Sequence, residues 1–315
     1  MTTQQQTFRT AQRVGDRPRP GRRRRRRGGA TPYLFIAPFM LIFLAMLVVP
    51  LIFAGYLSLF TTKLATGTEF VGLVNYAEAL TDPAFLGGVG RMIHYLLVQV
   101  PVMLVLSMVA ALVLDSGLLR FPKLFRILIF IPFAVPAVVG AVMWGYLYGA
   151  HVGPFAQLAQ AIGWPAPGFL TRGGIVYSIA NIAVWEFVGY NMIIFYAALK
   201  AIPPVLYEAA AIDGAGPIRT ALYVKVPQLL PALFLTALFS LIGSFQLFNE
   251  PNVLTPLAPT AIGRDWTPNL YAYNLAFVDQ RVEYASAISF VLGAVIAVAS
   301  IVFMLITTRL RRRTA

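Results

Sequence analysis

Six long apolar segments constrain this chain more than any other feature of its sequence. At a rise of about 1.5 Å per residue, each is long enough to cross a hydrocarbon core of about 30 Å as a helix. Only helices and closed barrels satisfy their backbone groups in lipid, and the chain lacks the alternation of barrel strands. The sequence therefore predicts an all-α membrane protein with six transmembrane helices. The segments lie approximately at 33–60, 92–114, 124–149, 174–199, 228–250 and 284–308.

The composition agrees with a membrane location. Apolar residues make up 58% of the 315 positions and charged residues 12%, which is roughly half the usual charged fraction of a soluble protein. There is no cysteine, which excludes disulfides and thiol chemistry. The first segment is longer than a signal-peptide core and lacks a small-x-small cleavage site, so we interpret it as a retained span.

The basic residues predict the orientation. Ten arginines precede residue 28, and we interpret residues 1–31 as a disordered, Arg-rich cytoplasmic tail. Such a tail is a topology signal that can also contact membrane lipid, and no nucleic-acid partner is expected. With a cytoplasmic N-terminus, 20 of the 25 lysines and arginines fall on the cytoplasmic side. We expect both termini there, with one six-helix transmembrane domain at 32–310 and a cytoplasmic C-terminus at 311–315.

A polar stretch interrupts the apolar pattern between the fourth and fifth segments. Pro203-Pro204 suits the first turn of a short helix, where a missing N–H costs nothing. Glu208 falls in its early turns, where the helix dipole favours negative charge. Ala209–Ala211 are strong helix formers with small side chains, so another surface can approach closely. Gly214 is expected to end this helix, because glycine tolerates a positive φ.

A second short helix is predicted to follow. It begins at Gly216-Pro217 and ends at Pro227, which gives a bent helix pair on the cytoplasmic face. Structured polar chain of this kind is typical of a docking surface for another protein. The alternative is a simple connecting loop with a solvated Glu208.

The run Glu208-Ala-Ala-Ala-Ile-Asp213-Gly214-Ala215, with Val226-Pro227 and Pro231 downstream, resembles the EAA loop of ABC-importer permeases. More narrowly, it is similar to the sugar-importer class. The family pattern places Gly six residues after Glu and Leu-Pro eighteen and nineteen after it. This chain keeps the spacing, with valine at 224 and 226 where Ile and Leu are commoner.

Two further runs support the resemblance, which covers most of residues 31–309. They are Phe70-Val-Gly-Leu-Val-Asn-Tyr76 between the first two segments and Ala198-Leu-Lys-Ala-Ile-Pro203 before the polar stretch. Their order is similar to that in the first of the two permeases of a maltose-type importer.

The resemblance implies a type I ABC importer permease-like core with a coupling loop at 200–227 that seats in a cleft on a cytoplasmic ATPase. It implies as partners a second permease subunit in a heterodimer, two copies of the ATPase and an extracytoplasmic solute-binding protein. Because the chain has no Gly-rich phosphate loop ending in Lys-Ser/Thr, ATP is expected on partner subunits. We expect no cofactor, metal or catalytic residue in the chain itself. The implied coupling residues are Glu208, Ala209, Ala210, Asp213, Gly214 and Pro227.

Polar residues within the apolar segments indicate a candidate solute path. An ionised carboxylate at mid-bilayer costs about 2.5–3.5 kcal/mol even on lenient scales, so Glu186 faces a water-filled path, a protonated packing site or a partner subunit. Aromatic rings beside hydrogen-bonding groups suit a sugar, which is the expected substrate. The Ser/Gly stripe of the fifth segment also fits close helix packing, and Asn249 and Glu250 also fit interfacial positions. The candidate substrate-binding residues are Trp185, Glu186, Tyr190, Asn191, Ser240, Ser244 and Asn249.

Two rival classes of function differ in the sites they require. An intramembrane enzyme would need a cluster of reactive groups, but the two histidines, His94 and His151, both fall at segment ends without metal-ligand spacing. An ion-coupled secondary transporter or channel would need a coupling-ion site, for which Glu186 is the lone candidate. The sequence favours a multi-pass permease subunit of an ATP-binding-cassette importer in the cell membrane, carrying a sugar or oligosaccharide.

Overall fold

The computed structural model describes residues 31–63 and 67–314. The predicted Arg-rich tail lies outside the described residues except for Thr31, which begins the first helix. The predicted C-terminal piece at 311–315 coincides with the end of the last helix, which extends to Thr314, and with one residue outside the described range. The chain forms two compact units that divide between Leu51 and Ile52.

The N-terminal helical run contains a widened turn. Helix α1 spans Thr31–Phe43, a π-helical turn follows at Leu44–Val48, and α2 spans Val49–Leu57. In the π turn the N–H of Val49 donates to the carbonyl of Leu44, five residues back. Pro50 follows directly, so the wide turn lies where a proline ring would crowd an ordinary α-helical turn.

The second unit contains a short antiparallel hairpin and the remaining helices. The hairpin pairs β1 with β2, and Phe60 lies opposite Phe70 in its register. The elements are, in order, β1 Phe60–Lys63, β2 Gly67–Phe70, α3 Val74–Thr81, α4 Pro83–Asp115, α5 Pro122–Phe130, a 3-10 turn Ile131–Ala134, α6 Ala137–Leu147, α7 Pro154–Ala161, α8 Ile175–Lys200, α9 Pro204–Ile212, α10 Pro217–Thr220, a π turn Ala221–Lys225, α11 Val226–Phe245, α12 Asn249–Leu254, α13 Pro268–Phe277 and α14 Val282–Thr314.

Each of the six predicted membrane segments is mainly helical, but the third differs from the other five. Within the described residues, five helical runs are long and apolar enough to span a membrane by themselves. The third segment becomes a broken pair, Pro122–Ala134 and Ala137–Leu147, bent by 96°. Pro136 explains the break, because its ring forces the preceding Val135 into an extended conformation (φ −77°, ψ 128°). The sequence predicted the segment and missed the bend.

The loops at one end of the helices are joined by hydrogen bonds; we call this the hairpin end. The Asn75 side chain donates to the carbonyls of Ser58 and Phe60 at 2.8 and 2.7 Å, and Gly72 supplies the turn with a φ of 59°. The Phe70–Tyr76 run is thus a connection between hairpin and helix. Asp82 caps α4 by accepting from the Ala84 N–H at 2.8 Å.

Asp82 also connects helices that are distant in sequence. The hydroxyls of Tyr271 in α13 and Tyr284 in α14 each donate to its carboxylate at 2.8 Å. Burial would raise the pKa of Asp82, but the hydrogen bonds from Tyr284 and Tyr271 outweigh burial and hold that pKa below its usual value. The hydrogen bonds to the Asp82 carboxylate therefore stabilise the folded state fully above the usual Asp pKa. This stabilisation is lost as the pH falls through the lowered pKa of Asp82.

The centre of the second unit is the packing of α8 against α4 and α5. Ser107 in α4 donates a hydrogen bond to the carbonyl of Val188 in α8 at 3.0 Å. At the next residue of α8, Gly189 lies so close to α5 that a Cβ there would be 2.1 Å from the carbonyl oxygen of Ile129. Small residues permit this kind of close backbone approach between membrane helices.

We expect Gly189→Ala to destabilise the protein, because the added methyl group would overlap the Ile129 backbone. Overpacking of this kind costs about 1–3 kcal/mol or more. The measurement is the Tm of the purified protein in detergent, which should fall. Gly293→Ala in α14 is the matched control, since a Cβ there meets nothing within 4 Å and its Tm should stay equal or rise. Equal Tm values for the two variants would contradict the close approach.

Candidate functional site

The polar stretch predicted to couple to a partner, residues 200–227, is called the EAA loop here. Its helix α9 begins at Pro204, as predicted, with Pro203 in extended conformation before it. Gly214 ends it with a φ of 73°. The Gly214 N–H donates to the Ala211 carbonyl at 3.1 Å and the Ala215 N–H to the Ala210 carbonyl at 2.9 Å, which is a Schellman motif. The predicted bounds of this helix are confirmed.

One face of α9 is buried and the other is open. Ala210 is buried against the rest of the unit, whereas Glu208, Ala209 and Asp213 are exposed. Ile212 has 87% of its surface exposed at the end of the helix. The open face therefore combines carboxylates, small side chains and an uncovered aliphatic group, a mixture suited to contact with another protein.

The second helix of the EAA loop differs from the prediction. It begins at Pro217, as expected, but Pro227 does not end it, because one helical run continues from Pro217 to Phe245. The π turn Ala221–Lys225 explains this continuity. The Val226 N–H donates to the carbonyl of Ala221, five residues back, so the wider turn accommodates the proline ring that follows. The predicted end at Pro227 is wrong, and that proline lies in the first turn of α11.

Asp115, the last residue of α4, joins both ends of the EAA loop. Its carboxylate oxygens lie 2.7 Å from the Nζ of Lys200 and 2.7 Å from the Nζ of Lys225. The Asp115 side chain is 8% exposed and that of Lys225 15%, so their pair is shielded from water, whereas Lys200 is 56% exposed. We call Asp115, Lys200 and Lys225 the ion triad.

Aromatic rings flank the ion triad. The Nζ of Lys225 lies 5.4 Å from the centroid of the Tyr207 ring, and the Nζ of Lys200 lies 5.1 Å from that of Tyr196. Burial and the charge of Asp115 raise the pKa of Tyr207 above its usual value. Because Tyr207 belongs to α9, the triad contacts the helix that bears Glu208 as well as the two ends of the loop.

A cavity of about 270 Å³ lies among α4, α8, α11 and α12. Apolar and polar side chains both line it, as in many small-molecule sites. The lining residues of the described chain are Tyr95, Gln99, Met103, Ala137, Ala183, Glu186, Phe187, Tyr190, Asn191, Ile194, Thr236, Phe239, Ser240, Gly243, Ser244, Gln246, Leu247, Phe248, Asn249 and Glu250.

Most of the predicted substrate-binding residues meet at this cavity. Of the seven, Trp185 alone does not line it; its ring packs edge-on against Trp144, with 5.8 Å between centroids, and lies beside Gly140. Substrate binding by the other six stays a prediction. The six at the cavity are Glu186, Tyr190, Asn191, Ser240, Ser244 and Asn249.

The serines at the cavity use their hydroxyl protons within their own helix. Ser240 Oγ donates to the Thr236 carbonyl at 2.8 Å, and Ser244 Oγ donates to the Ser240 carbonyl at 2.7 Å. Asn191 Nδ2 likewise donates to the Phe187 carbonyl at 3.0 Å. These groups therefore face a solute mainly with acceptor oxygens.

Sequence reasoning missed the lining residues that lie outside the fourth and fifth segments. Tyr95 and Gln99 come from α4, one turn apart, whereas Glu250, interpreted from the sequence as interfacial at the end of the fifth segment, lies in α12. The i, i+4 spacing of Tyr95 and Gln99 was a usable signal, since two polar groups on one face of a membrane helix require a common environment. Among the described residues, no three His, Asp or Glu side chains come together as a metal site would require.

Comparison with known proteins decides the family. Residues 28–315 match the family described as binding-protein-dependent transport system inner membrane component. The chain belongs to this family. The resemblance to ABC-importer permeases noted in the sequence is thereby confirmed, as is a multi-pass location in the cell membrane.

Individual members of the permease family are similar along most of the chain. A probable ABC transporter permease of Bacillus subtilis, YurN, is 32% identical over 82% of this chain and 89% of its own length. The arabinooligosaccharides transport system permease AraP of the same organism is 31% identical over 87% of each chain. A crystal structure of a bacterial ABC transporter involved in the import of the acidic polysaccharide alginate contains a chain with a TM-score of 0.74 at 19% identity, covering 90% of this chain and 95% of its own. The last comparison shows a shared fold.

We expect Asp115→Asn to loosen the EAA loop. Removing the carboxylate leaves the buried ammonium of Lys225 without a counter-charge, and breaking a buried pair in this way costs about 3–5 kcal/mol. Hydrogen–deuterium exchange of the amides at 204–225 should accelerate strongly, while exchange in the centre of α8 should stay slow.

Asp279→Asn is the matched control for this change. Its partner Arg264 lies 3.3 Å away at the hairpin end, and both side chains are largely exposed, so the pair contributes at most about 1 kcal/mol. Exchange in the EAA loop should be the same in this control as in the unsubstituted protein. Unchanged exchange in Asp115→Asn would show that the ion triad does not fix the loop.

Proposed function

We propose that this chain is the membrane-spanning subunit through which an ATP-driven importer moves a sugar or oligosaccharide into the cell. The sugar class is supported by the relative named for arabinooligosaccharides and by the alginate importer that shares the fold. A cavity with acceptor oxygens beside the ring of Tyr190 is compatible with a polyhydroxylated solute.

The observation that carries the proposal is the position of the EAA loop relative to the cavity. The open face of α9 provides a surface for a cytoplasmic ATPase, with Glu208, Ala209, Asp213 and Gly214 at the contact and Ala210 packed behind it. The ion triad joins this loop to the end of α4, the end of α8 and the turn before α11. These same helices line the cavity. Movement of a docked partner is therefore transmitted to the walls of the solute path.

The proposal requires several partners. Two copies of an ATPase bind and hydrolyse ATP, because the chain has no phosphate loop of its own. A second permease subunit supplies the other half of the path in a heterodimer, and an extracytoplasmic binding protein delivers the solute, as the family description and the alginate transporter's complex with a periplasmic protein suggest. The chain itself holds no cofactor in this arrangement. Uptake driven by an ion gradient and indifferent to ATP would instead support the ion-coupled alternative.

The proposal places the EAA loop and both termini in the cytoplasm, and the absence of cysteine permits a direct test. Ile212→Cys introduces a single thiol at a position that is 87% exposed. A membrane-impermeant maleimide should label it in inside-out vesicles stripped of the ATPase and leave it unlabelled in intact cells or spheroplasts. Glu69→Cys in the hairpin is the matched control and should show the opposite pattern. Labelling of Ile212→Cys from outside would contradict the orientation.

We expect Gly214→Val to reduce ATP-driven uptake while insertion into the membrane stays normal. A Cβ at this position meets nothing within 4 Å, so the change acts through the positive φ of 73°, which costs an L-residue about 1–2 kcal/mol. Since 1.4 kcal/mol is a factor of ten in affinity, docking of the ATPase should weaken roughly tenfold.

Gly214→Asn is the conservative control, because asparagine tolerates this backbone conformation. It should retain most of the ATPase co-purification and uptake of the unsubstituted complex. Equal losses in the valine and asparagine variants would mean that side-chain volume matters at Gly214. Normal uptake in the valine variant would remove this helix end from the coupling.

A further inference from the structure

Two buried carboxyl groups face the cavity without a partner. Glu186 of α8 and Glu250 of α12 are each 7% exposed, and both line the cavity. Among the described residues, no other residue donates a hydrogen bond to either side chain. A buried polar group without a partner carries a cost of about 1–3 kcal/mol, more for a charged one. Hydrogen-bond donors from water or from a solute are needed to offset this cost.

No cationic side chain of the described residues lines the cavity on this chain's side of the path. None of its lining residues in the described chain is Lys, Arg or His. On this side, a solute carrying a carboxylate or phosphate would leave water without meeting a counter-charge, and it would also meet the two carboxyl groups. A neutral polyol has no charge to desolvate, and its hydroxyls can donate hydrogen bonds to the oxygens of the two carboxyl groups.

We propose that this cavity accepts neutral polyhydroxylated solutes and excludes anionic ones, with Glu186 and Glu250 as the residues that discriminate. The inference rests on the proposed importer function and specifies its substrate class. It also separates this chain from the structural relative involved in the import of an acidic polysaccharide, with which it shares a fold at 19% identity.

The test measures the charge preference of the cavity without depending on the solute-binding protein. In the assembled complex in proteoliposomes, Ser240→Cys places the single thiol of this chain at the cavity, and Gly243→Cys provides a second position where a Cβ meets nothing within 4 Å. Each is reacted with two methanethiosulfonates, one carrying a trimethylammonium group and one a sulfonate. The rate at which each reagent modifies the thiol is measured by mass spectrometry of this chain. It is then divided by the rate at which the same reagent reacts with mercaptoethanol in solution.

We expect the cationic reagent to react faster than the anionic one by at least about tenfold after this correction. Adding Glu186→Gln and Glu250→Gln together should reduce the ratio several-fold. Glu69→Gln with Glu78→Gln is the charge-matched control, because it removes two exposed carboxyl groups from the hairpin end and should leave the ratio unchanged. A cavity in which the anion reacts as fast as the cation, or in which both thiols are inert, overturns the inference.

Failure of this inference is distinguishable from failure of the proposed function. Equal reagent rates in a complex that still performs ATP-driven uptake would overturn the anion exclusion and leave the importer in place. Absence of ATP-driven uptake in every solute assay would count against the importer, while the labelling ratio would still report the cavity's charge. As a second readout, both glutamine substitutions together should raise uptake of an aldonic acid relative to its parent neutral oligosaccharide.

Discussion

The ion triad is the interaction on which the relation between the EAA loop and the membrane helices depends. One carboxylate at the end of α4 accepts from a lysine that ends α8 and from a lysine that precedes α11. These two ion pairs hold the end of α8 and the turn before α11 to the end of α4. Shielding by Tyr207 lowers the local dielectric and strengthens the pair of Asp115 with Lys225, so loss of either of these two residues is costly. Lys200, in contrast, is 56% exposed and contributes less. The residues proposed for coupling and the residues that anchor the loop are therefore different residues.

The sequence predicted most of the fold because lipid leaves few choices to the backbone. Long apolar runs must be helical, and the bounds of α9 followed from proline at its start and glycine at its end. Prolines inside the runs were harder to interpret. Pro136 breaks a span, whereas Pro50 and Pro227 follow π turns that preserve the helix. Which outcome occurs depends on the hydrogen bonds of the preceding turn, and a sequence does not display those.

The candidate site was predictable where one helix supplies several members and obscure where contacts cross helices. Glu186, Tyr190 and Asn191 share α8, so their spacing along one helix is enough to place them at a common site. Trp185 is adjacent in sequence but points to α6, where it packs against Trp144. Asp115 gave no local signal, because its partners Lys200 and Lys225 come from positions far along the chain.

The fold and the proposed solute choice depend on different atoms in this protein. The helices are fixed by apolar packing, by the close approach at Gly189 and by hydrogen bonds within and between helices. The hydroxyls of Ser240 and Ser244 belong to this structural group, since their protons go to backbone carbonyls. What the fold leaves free at the cavity are polar groups, among them the acceptor oxygens of these serines. A relative can keep every structural contact and change its solute by altering those acceptors, so shared architecture at 19% identity carries no information about the charge of the substrate.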